Sequence, residues 1–384
     1  MNLTLRDKLH ARLSEEGRIS FAEFMETALY DPDGGYYMTR ERAVGLDGDY
    51  YTSGDVDPIF GRLLARQVRE MSDRLGGGPF TLVEVGPGKG ILCRDLVTAC
   101  LEEAPDFIRR LSIVLIEKSP KMIAVQEEVL KPLRDRGARI AWEADVRALN
   151  PPISGCILSN ELLDAFPVHR VRMTSSGLKE IFVRSNGDGF AEELGSPSTE
   201  ALQNTLRRLK ITLPEGYVTE VHLKALEWIK SAAAALGRGF FMTIDYGYTA
   251  EEYYHPARKT GTLLCYAGHK LSENPYDRIG VQDITAHVNF TVVALAGRDA
   301  GLDLAGFTDQ MNFLIGLGIA REMEKIAAEP GFEPENKRFL AMKQLMSPAG
   351  LGKTFKVLVA RKGIAPCALA GLRYRPFVPL TLPE

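Results

Sequence analysis

The segment Phe80-Thr-Leu-Val-Glu-Val-Gly86-Pro-Gly88-Lys-Gly90 joins an apolar strand pattern to three closely spaced glycines. Residues 91–100 continue with helical spacing, so the glycines lie at the carboxyl end of a strand. Open α/β sheets bind nucleotides at this edge. Glycine is needed there for positive φ and for close approach of the backbone to a ligand. The segment therefore predicts a cofactor-binding loop, and an ordinary strand-to-helix turn is the alternative.

Charge decides which cofactor this loop suits. The dinucleotide fingerprint spaces its glycines as G-x-G-x-x-G around a pyrophosphate, whereas the spacing here is G-x-G-x-G. Glu84, just before the first glycine, would repel a pyrophosphate but attract the cationic amino-acid moiety of S-adenosylmethionine (SAM). Lys89 lacks the G-x-x-x-x-G-K-S/T frame of an ATP site. The sequence therefore favours SAM over NAD, and NAD over ATP, with Gly86, Gly88 and Gly90 against the ligand.

A second apolar strand, predicted over residues 112–117, ends in Glu117. Ser119 and Pro120 follow as the N-cap and the first residue of a helix. In doubly wound folds, a carboxylate at the end of the second strand accepts hydrogen bonds from ribose hydroxyls. Glu117 is therefore a candidate cofactor-binding residue, and a solvated strand-end acid is the alternative.

A third strand is predicted over residues 138–146, with Trp142 and Asp145 near its end. An aromatic ring and an acid at this edge suit an adenine, by stacking or by hydrogen bonding. Asp145 therefore joins the cofactor-binding candidates. For Trp142, packing in the core is the favoured interpretation.

The fourth predicted strand runs from Gly155 into a polar cluster of Asn160, Glu161 and Asp164. Since parallel strands end at one edge of a sheet, this cluster should lie beside the glycine loop. Two carboxylates next to a methyl donor suit a nitrogen nucleophile, because they hold a guanidinium by bidentate hydrogen bonds and accept the proton lost on transfer. These three residues are the predicted catalytic group. The alternative is that Asn160 and Asp164 cap the following turn.

Several motifs along most of the chain resemble those of the MidA-type SAM-dependent methyltransferases. They are GDYYTS at 48–53, EVGPGKG at 84–90, NELLDAFP at 160–167, IDYG at 244–247, GTLLCY at 261–266 and HKL at 269–271. The family includes the mitochondrial arginine methyltransferase that assists assembly of respiratory complex I. One departure is visible, because Gly54 and Asp55 stand where the family usually has Pro-Glu.

The resemblance implies protein arginine N-methylation with SAM as the cofactor. In the mitochondrial member it implies symmetric dimethylation of a complex I subunit, so a protein substrate of that kind is the expected partner. Two other functions stay open. One is a methyltransferase of small molecules, and the other is an assembly factor that binds SAM without catalysis.

The strand order predicts an α/β fold with a seven-stranded, mostly parallel Rossmann-like methyltransferase sheet, whose last strand enters antiparallel. We expect an N-terminal helical cap segment over residues 1–78, a methyltransferase domain over 79–361 and a C-terminal tail over 362–384. Within the domain, an insertion is expected at about 168–236. Tyr and His are concentrated at about 246–287, which suits a lid whose rings stack on a guanidinium. An ordinary packed loop is the alternative.

Composition excludes several classes of protein. Lys and Arg number 47 against 50 Asp and Glu, and a net charge of −3 offers no basic field for nucleic acid. No apolar run approaches a membrane span, and the N-terminus lacks the apolar core of a signal peptide. The cysteines form no C-x-x-C pair and the histidines of the Tyr-rich segment no i,i+4 pair, so neither a metal site nor a disulfide framework is predicted. The expected location is the bacterial cytoplasm.

Overall fold

A computed structural model of the chain describes residues 4–39, 53–268 and 270–383. The motif residues 48–52, His269 and the side chain of Asp55 lie outside this description. The α-helices are α1 (Leu5–Glu16), α2 (Phe21–Tyr30), α3 (Tyr36–Thr39), α4 (Ser53–Val56), α5 (Ile59–Arg74), α6 (Ile91–Glu103), α7 (Pro105–Ile108), α8 (Pro120–Asp135), α9 (Glu200–Arg208), α10 (Leu223–Ala235), α11 (Ala250–Tyr253), α12 (Phe290–Asp299), α13 (Gln310–Gly316), α14 (Ile319–Ala327), α15 (Lys337–Met346) and α16 (Leu351–Thr354).

The strands are β1 (Ile19–Ser20), β2 (Phe80–Val85), β3 (Leu111–Ile116), β4 (Arg139–Glu143), β5 (Ile153–Asn160), β6 (His169–Thr174), β7 (Gly177–Asn186), β8 (Gly189–Gly195), β9 (Val218–Val221), β10 (Leu236–Tyr248), β11 (Leu264–Ala267), β12 (Lys270–Ser272), β13 (Asp283–Thr285), β14 (Val288–Asn289), β15 (Asp303–Asp309) and β16 (Phe355–Lys362). Short 3-10 turns lie at Val146–Ala148, Leu163–Ala165, Pro256–Arg258 and Ala370–Leu372.

The main sheet has the order β15-β16-β10-β5-β2-β3-β4. From β10 to β4 the strands are parallel, and β16 is antiparallel to both of its neighbours. The predicted α/β fold and its antiparallel last strand are therefore confirmed. The sheet has eight strands rather than seven, because the two residues of β14 pair with the last residues of β10.

Helices cover both faces of the main sheet. Successive strand residues point to opposite faces, so Leu82 packs with α5, α6 and α8, whereas Val83 packs with α10 and α12. Two helices near the expected domain boundaries also pack here. Helix α5, expected in the N-terminal cap, and α10, expected in the insertion, both pack in the core of the main sheet, because each buries an apolar face against its strands.

A second sheet has the order β1-β7-β6-β9, and β8 also pairs with β7. Strands β6 to β9 lie in the range expected as the insertion, so we call it the insertion sheet. The N-terminal helices join this sheet rather than the main one. Phe24 and Leu29 of α2 share a core with Val183 of β7 and with Ile284 of β13. Chain segments far apart in sequence therefore form one body above the carboxyl edge of the main sheet.

The segment after β10 is built from short elements. Strands β11, β12 and β13 form a small antiparallel sheet. Helix α12 follows this sheet and begins at Phe290, because Asn289 caps it and the preceding residues pair as β13 and β14. None of the helices in the described ranges combines the length and apolar character needed to cross a bilayer.

Candidate functional site

The glycine loop lies between β2 and α6, as its sequence predicts. Gly86, Gly88 and Gly90 have φ of 66°, 53° and 77°, a region that L-residues with a Cβ adopt at a cost. A Cβ on Gly86 would lie 2.8 Å from Leu162 Cδ1, whereas a Cβ on Gly88 would meet no atom within 4 Å. Gly86 is therefore needed for packing against the turn after β5, and Gly88 leaves open space in front of the loop.

Glu84 is buried at the end of β2, with 3% of its surface exposed. Burial raises the pKa of its carboxyl to about 8. Within the described part of the chain, no hydrogen bond to this carboxyl is found. A buried carboxyl without a partner is a favourable position for a cationic ligand group, whose charge would lower the pKa again.

Glu117 belongs to a network at the end of β3. Its Oε1 accepts from the Ser119 backbone N–H at 2.8 Å, and its Oε2 accepts from Gln126 Nε2 at 3.2 Å. The same Gln126 nitrogen donates to the Gly88 carbonyl at 2.7 Å. Burial raises the pKa of Glu117, and these hydrogen bonds oppose the shift. Gln126 therefore ties the glycine loop to the candidate ribose acid.

Gln126 was not among the predicted site residues. It is fully buried on α8, on the same stripe as Met122 and Leu130. The sequence signal for this role was a glutamine four residues from an apolar residue on each side, in the middle of an apolar helix stripe. Its Oε1 accepts from Trp142 Nε1 at 2.8 Å, so the Trp142 ring is held against α8.

Asp145 lies beyond the end of β4, because the strand ends at Glu143 and is shorter than the predicted 138–146. Its carboxylate has a local partner. Its Oδ1 accepts from the Arg147 backbone N–H at 2.9 Å, and its Oδ2 accepts from Arg147 Nη2 at 2.8 Å. These bonds lower the pKa of Asp145. A contact between Asp145 and adenine stays a prediction.

The predicted catalytic residues lie in the turn after β5. Glu161 has a φ of 52°, rare for a residue with a Cβ, and its backbone N–H donates to the Ile244 carbonyl at 2.8 Å. Asn160 Nδ2 donates to Glu161 Oε1 at 3.1 Å, whereas Asn160 Oδ1 is buried and accepts no hydrogen bond from a described residue. Backbone strain of this kind occurs at ligand sites.

Asp164 is buried in the same turn, with 6% of its surface exposed. Burial raises the pKa of Asp164 to about 6, and the adjacent Tyr246 hydroxyl opposes the shift. Tyr30 of α2 donates its hydroxyl to the neighbouring Ala165 carbonyl at 3.0 Å. The N-terminal helices are therefore in contact with the candidate catalytic turn.

Asp245 belongs to the IDYG motif but was not among the predicted site residues. Its Oδ2 accepts from the backbone N–H groups of Leu162 at 3.1 Å and Leu163 at 2.8 Å. Burial and the charge of Asp164 raise the pKa of Asp245. Asp245 therefore fixes the turn that carries Asp164.

Aromatic side chains surround this turn. The His287 ring packs edge-on against Tyr246, with centroids 4.8 Å apart, and stacks on Tyr248 at 5.1 Å. Tyr266 is half-buried, and its pKa is raised by burial and by the charges of Asp164 and Asp283. Part of the Tyr-rich segment therefore packs around the predicted catalytic acid.

Together these features define a nucleotide-type site at the carboxyl edge of a methyltransferase sheet. The open space at Gly88, the unpaired Glu84 and the Glu117–Gln126 network fit the backbone-contacted, cationic and ribose parts of SAM. The model of a family of S-adenosyl-L-methionine-dependent methyltransferases matches residues 63–308, and this chain belongs to that family. It is a SAM-dependent methyltransferase, and SAM is its cofactor.

Particular relatives cover nearly the whole chain. The mitochondrial protein arginine methyltransferase NDUFAF7 homolog of Drosophila melanogaster is 27% identical over 388 residues, covering 94% of this chain and 85% of the relative. The NDUFAF7 protein of Homo sapiens is 28% identical over 375 residues, covering 90% and 80%. A Burkholderia thailandensis protein crystallised with S-adenosyl-homocysteine is 32% identical with a TM-score of 0.87, covering 97% of this chain and 95% of that chain. The resemblance to MidA-type methyltransferases is confirmed.

Proposed function

We propose that the chain is a protein arginine N-methyltransferase. The observation that carries this proposal is the group of acids in and beside the turn after β5, where Asp164 and Asp245 are buried and Glu161 is held at positive φ. The turn touches the glycine loop through Leu162 and Gly86. A guanidinium is the methyl acceptor that such a group of carboxylates binds best. Relatives named as protein arginine methyltransferases support the same acceptor.

In this mechanism SAM supplies an electrophilic methyl group, and the residues of this chain bind and orient the acceptor. Glu161 and Asp164 hold the guanidinium by charge-assisted hydrogen bonds. The guanidinium keeps its proton in solution, because its pKa lies far above neutral pH. A base is therefore needed only as the nitrogen gains its methyl group. Asp164 accepts that proton, and Asp245 keeps Asp164 in position through the backbone of the turn.

The finer expectations rest on the family resemblance. We infer that the product is symmetric dimethylarginine on a subunit of respiratory complex I, formed through monomethylarginine. The second methyl transfer requires the arginine to rebind with its planar fork reversed, and rings that stack on the fork allow this better than a closed pocket. The reaction is expected in the bacterial cytoplasm.

The proposal is tested with native protein substrate. Extract from cells lacking this protein is incubated with the purified enzyme and tritiated SAM, and labelled protein is digested and sequenced by fragmentation mass spectrometry. We expect dimethylated arginine in a complex I subunit. Methyl groups on lysine or on a carboxylate would contradict the proposal. Label on a metabolite alone would identify a small-molecule methyltransferase, and SAM binding without label would identify a non-catalytic assembly factor.

A matched pair of measurements on Asp164→Asn tests the mechanism. Loss of the proton acceptor should lower turnover by about 10²–10⁴-fold, the usual contribution of a general base. Affinity for SAM by calorimetry should stay within about threefold, a change below about 1 kcal/mol. If this variant loses SAM binding while its fold is intact, Asp164 belongs to the cofactor site instead.

A further inference from the structure

Two clefts open beside the insertion sheet, with volumes of about 420 and 510 Å³. Both are lined by Arg170 and Thr260, so they meet along β6. We call the joined clefts the cationic groove. Its charged lining consists of Arg170, Arg172, Arg258, Lys259, Glu215 and Glu273. Cations outnumber acids along this lining, although the whole chain is slightly acidic.

Among the described residues, Arg172 has no partner for its charge. It follows Arg170 by two residues on β6, so both side chains lie on one face of the sheet. Arg172 is half-buried, and within the described ranges it forms neither an ion pair nor a hydrogen bond, while its Nε is buried. Arg170 pairs with Glu192, but its Nε is also buried without an acceptor. Unpaired buried donors cost free energy unless a ligand satisfies them.

A series of packed side chains connects the groove with the candidate catalytic turn. The Arg258 guanidinium lies 3.7 Å from the centroid of the Tyr248 ring. Tyr248 stacks on His287, which also lines the groove and packs edge-on against Tyr246. Tyr246 in turn contacts Asp164. A chain bound in the groove would therefore run toward the acid that we assign to the target arginine.

We propose that the cationic groove binds carboxylate side chains in the segment of the protein substrate that carries the target arginine. This inference rests on the proposed function. The arginine enters the acidic turn, and flanking Asp or Glu residues pair with Arg172 and Arg170. A guanidinium binds a carboxylate bidentately, so the groove sets the direction of the segment as well as its affinity. An extended segment with acids on one side of its arginine is the complementary partner.

The test uses short fluorescent peptides with one central arginine in a Gly/Ser background. In one series, a pair of aspartates is placed at a different position in each peptide, before or after the arginine. The matched series carries asparagine at the same positions. Binding to the full-length protein is measured by anisotropy with S-adenosyl-homocysteine present. We expect at least one aspartate position to bind about tenfold more tightly than its asparagine counterpart. Equal binding of the two series at every position would overturn the proposal.

Substitution of Arg172 tests whether this residue causes the preference for aspartate. Arg172→Gln should reduce the advantage of aspartate over asparagine to below about threefold, while affinity for S-adenosyl-homocysteine is unchanged. Arg207→Gln is the matched control, because it removes the same charge from the exposed side of α9, outside the groove lining. The proposal fails if Arg172→Gln retains the full preference or if Arg207→Gln loses it equally.

The readout separates this inference from the proposed function. Binding is measured without methyl transfer, so acidic peptides that bind through Arg172 but are never methylated would support the groove and contradict arginine methylation. Peptides that are methylated at arginine without any preference for aspartate would support the enzyme and contradict the groove. Displacement of the aspartate peptides by inorganic phosphate at equal concentration would identify a simple anion site and overturn the proposal.

Discussion

At the scale of single residues, Gly86 and Gly88 of the glycine loop lack a side chain for different reasons. Gly86 is needed because a Cβ would collide with Leu162, whereas Gly88 faces open space. Both have positive φ, so any substitution also carries a backbone cost. Gly88 is therefore the position where a small side chain tests cofactor contact with little effect on internal packing.

Gly88→Ala should weaken SAM binding by more than about tenfold, or about 1.4 kcal/mol, because the new Cβ enters the space in front of the loop. Gly137→Ala is the control, since Gly137 also has positive φ and no atom within 4 Å of an added Cβ. Both variants should lose about 1–2 kcal/mol of folding stability from the left-handed backbone. Calorimetry that finds equal SAM affinity in the two variants would contradict a ligand at Gly88.

The raised pKa of Glu84 predicts that the stability of the ligand-free protein depends on pH. The folded pKa of about 8 lies above the ordinary value of 4.5, so the ligand-free folded state binds the extra proton. The free energy of unfolding should therefore fall as pH rises from about 4.5 to about 8 and change no further above that. Each unit of pKa difference corresponds to about 1.4 kcal/mol, so the total loss is at most about 5 kcal/mol.

Glu84→Gln should remove this loss. Urea unfolding without SAM should find the variant more stable than the natural protein at pH 8 and similar to it near pH 5. SAM binding should be weaker in the variant, because a neutral amide does not balance a cation. Glu128→Gln, on the exposed side of α8, should leave both profiles unchanged. Parallel stability profiles for Glu84→Gln and the natural protein would show that the buried carboxyl is not the cause.

At the scale of elements, one buried acid at the end of β10 organises the turn after β5. Asp245 accepts backbone hydrogen bonds from that turn through Oδ2 and from Tyr246 through Oδ1, at 2.9 Å. The two strands are neighbours, and Ile244 of β10 lies opposite Asn160, the last residue of β5. A turn that holds Glu161 at positive φ therefore depends on the adjacent strand.

Asp245→Asn should lower both stability and turnover. The amide has one acceptor oxygen where the carboxylate has two, so one buried backbone N–H loses its partner. This loss costs about 1–3 kcal/mol of folding stability. Turnover should fall because Asp164 loses its support, while SAM affinity stays close to that of the natural protein. Asp164→Asn provides the comparison, since it should lose turnover with a smaller change in thermal unfolding. Equal thermal stability of Asp245→Asn and the natural protein would exclude the proposed support.

At the scale of the whole molecule, the described chain has separate cores for the main sheet and for the cap. The cap core combines α1 and α2 with β7 and β13, and it includes no residue of β2 or β5. Contacts such as Tyr30 with Ala165 join the cap to the candidate catalytic turn. Because the two cores are separate, we expect the cap core to unfold without unfolding the main sheet.

Phe24→Ala tests this separation, because Phe24 is fully buried in the cap core. Such a truncation costs about 3–5 kcal/mol. Hydrogen exchange should accelerate in α2, β7 and β13, and stay slow in β2 and β5. Phe107→Ala is the counterpart, since Phe107 packs on Phe80 in the main core. Uniform acceleration of exchange in both variants would indicate one cooperative unit.

Local sequence was sufficient for the features in which neighbouring residues decide the structure. The strand pattern and glycines of residues 80–90 predict the loop, and Ser119 with Pro120 predicts the start of α8, where both are found. The acids at strand ends were predictable because parallel strands of one sheet end at one edge. For the same reason, Asn160, Glu161 and Asp164 could be assigned to the same edge as the glycines.

Only the tertiary structure decided which of these groups support one another. Gln126 and Asp245 act on residues distant in sequence, Gln126 on Gly88 and Asp245 on Leu163, and no local pattern encodes such pairs. Helix α5 follows the N-terminal segment in the chain but packs in the main core, because its apolar face is buried there and not in the cap. The chain itself determined the class of fold and the cofactor, since periodicity and glycine spacing are short-range properties. The partners of buried polar groups depend on how the elements pack, which is a property of the whole chain.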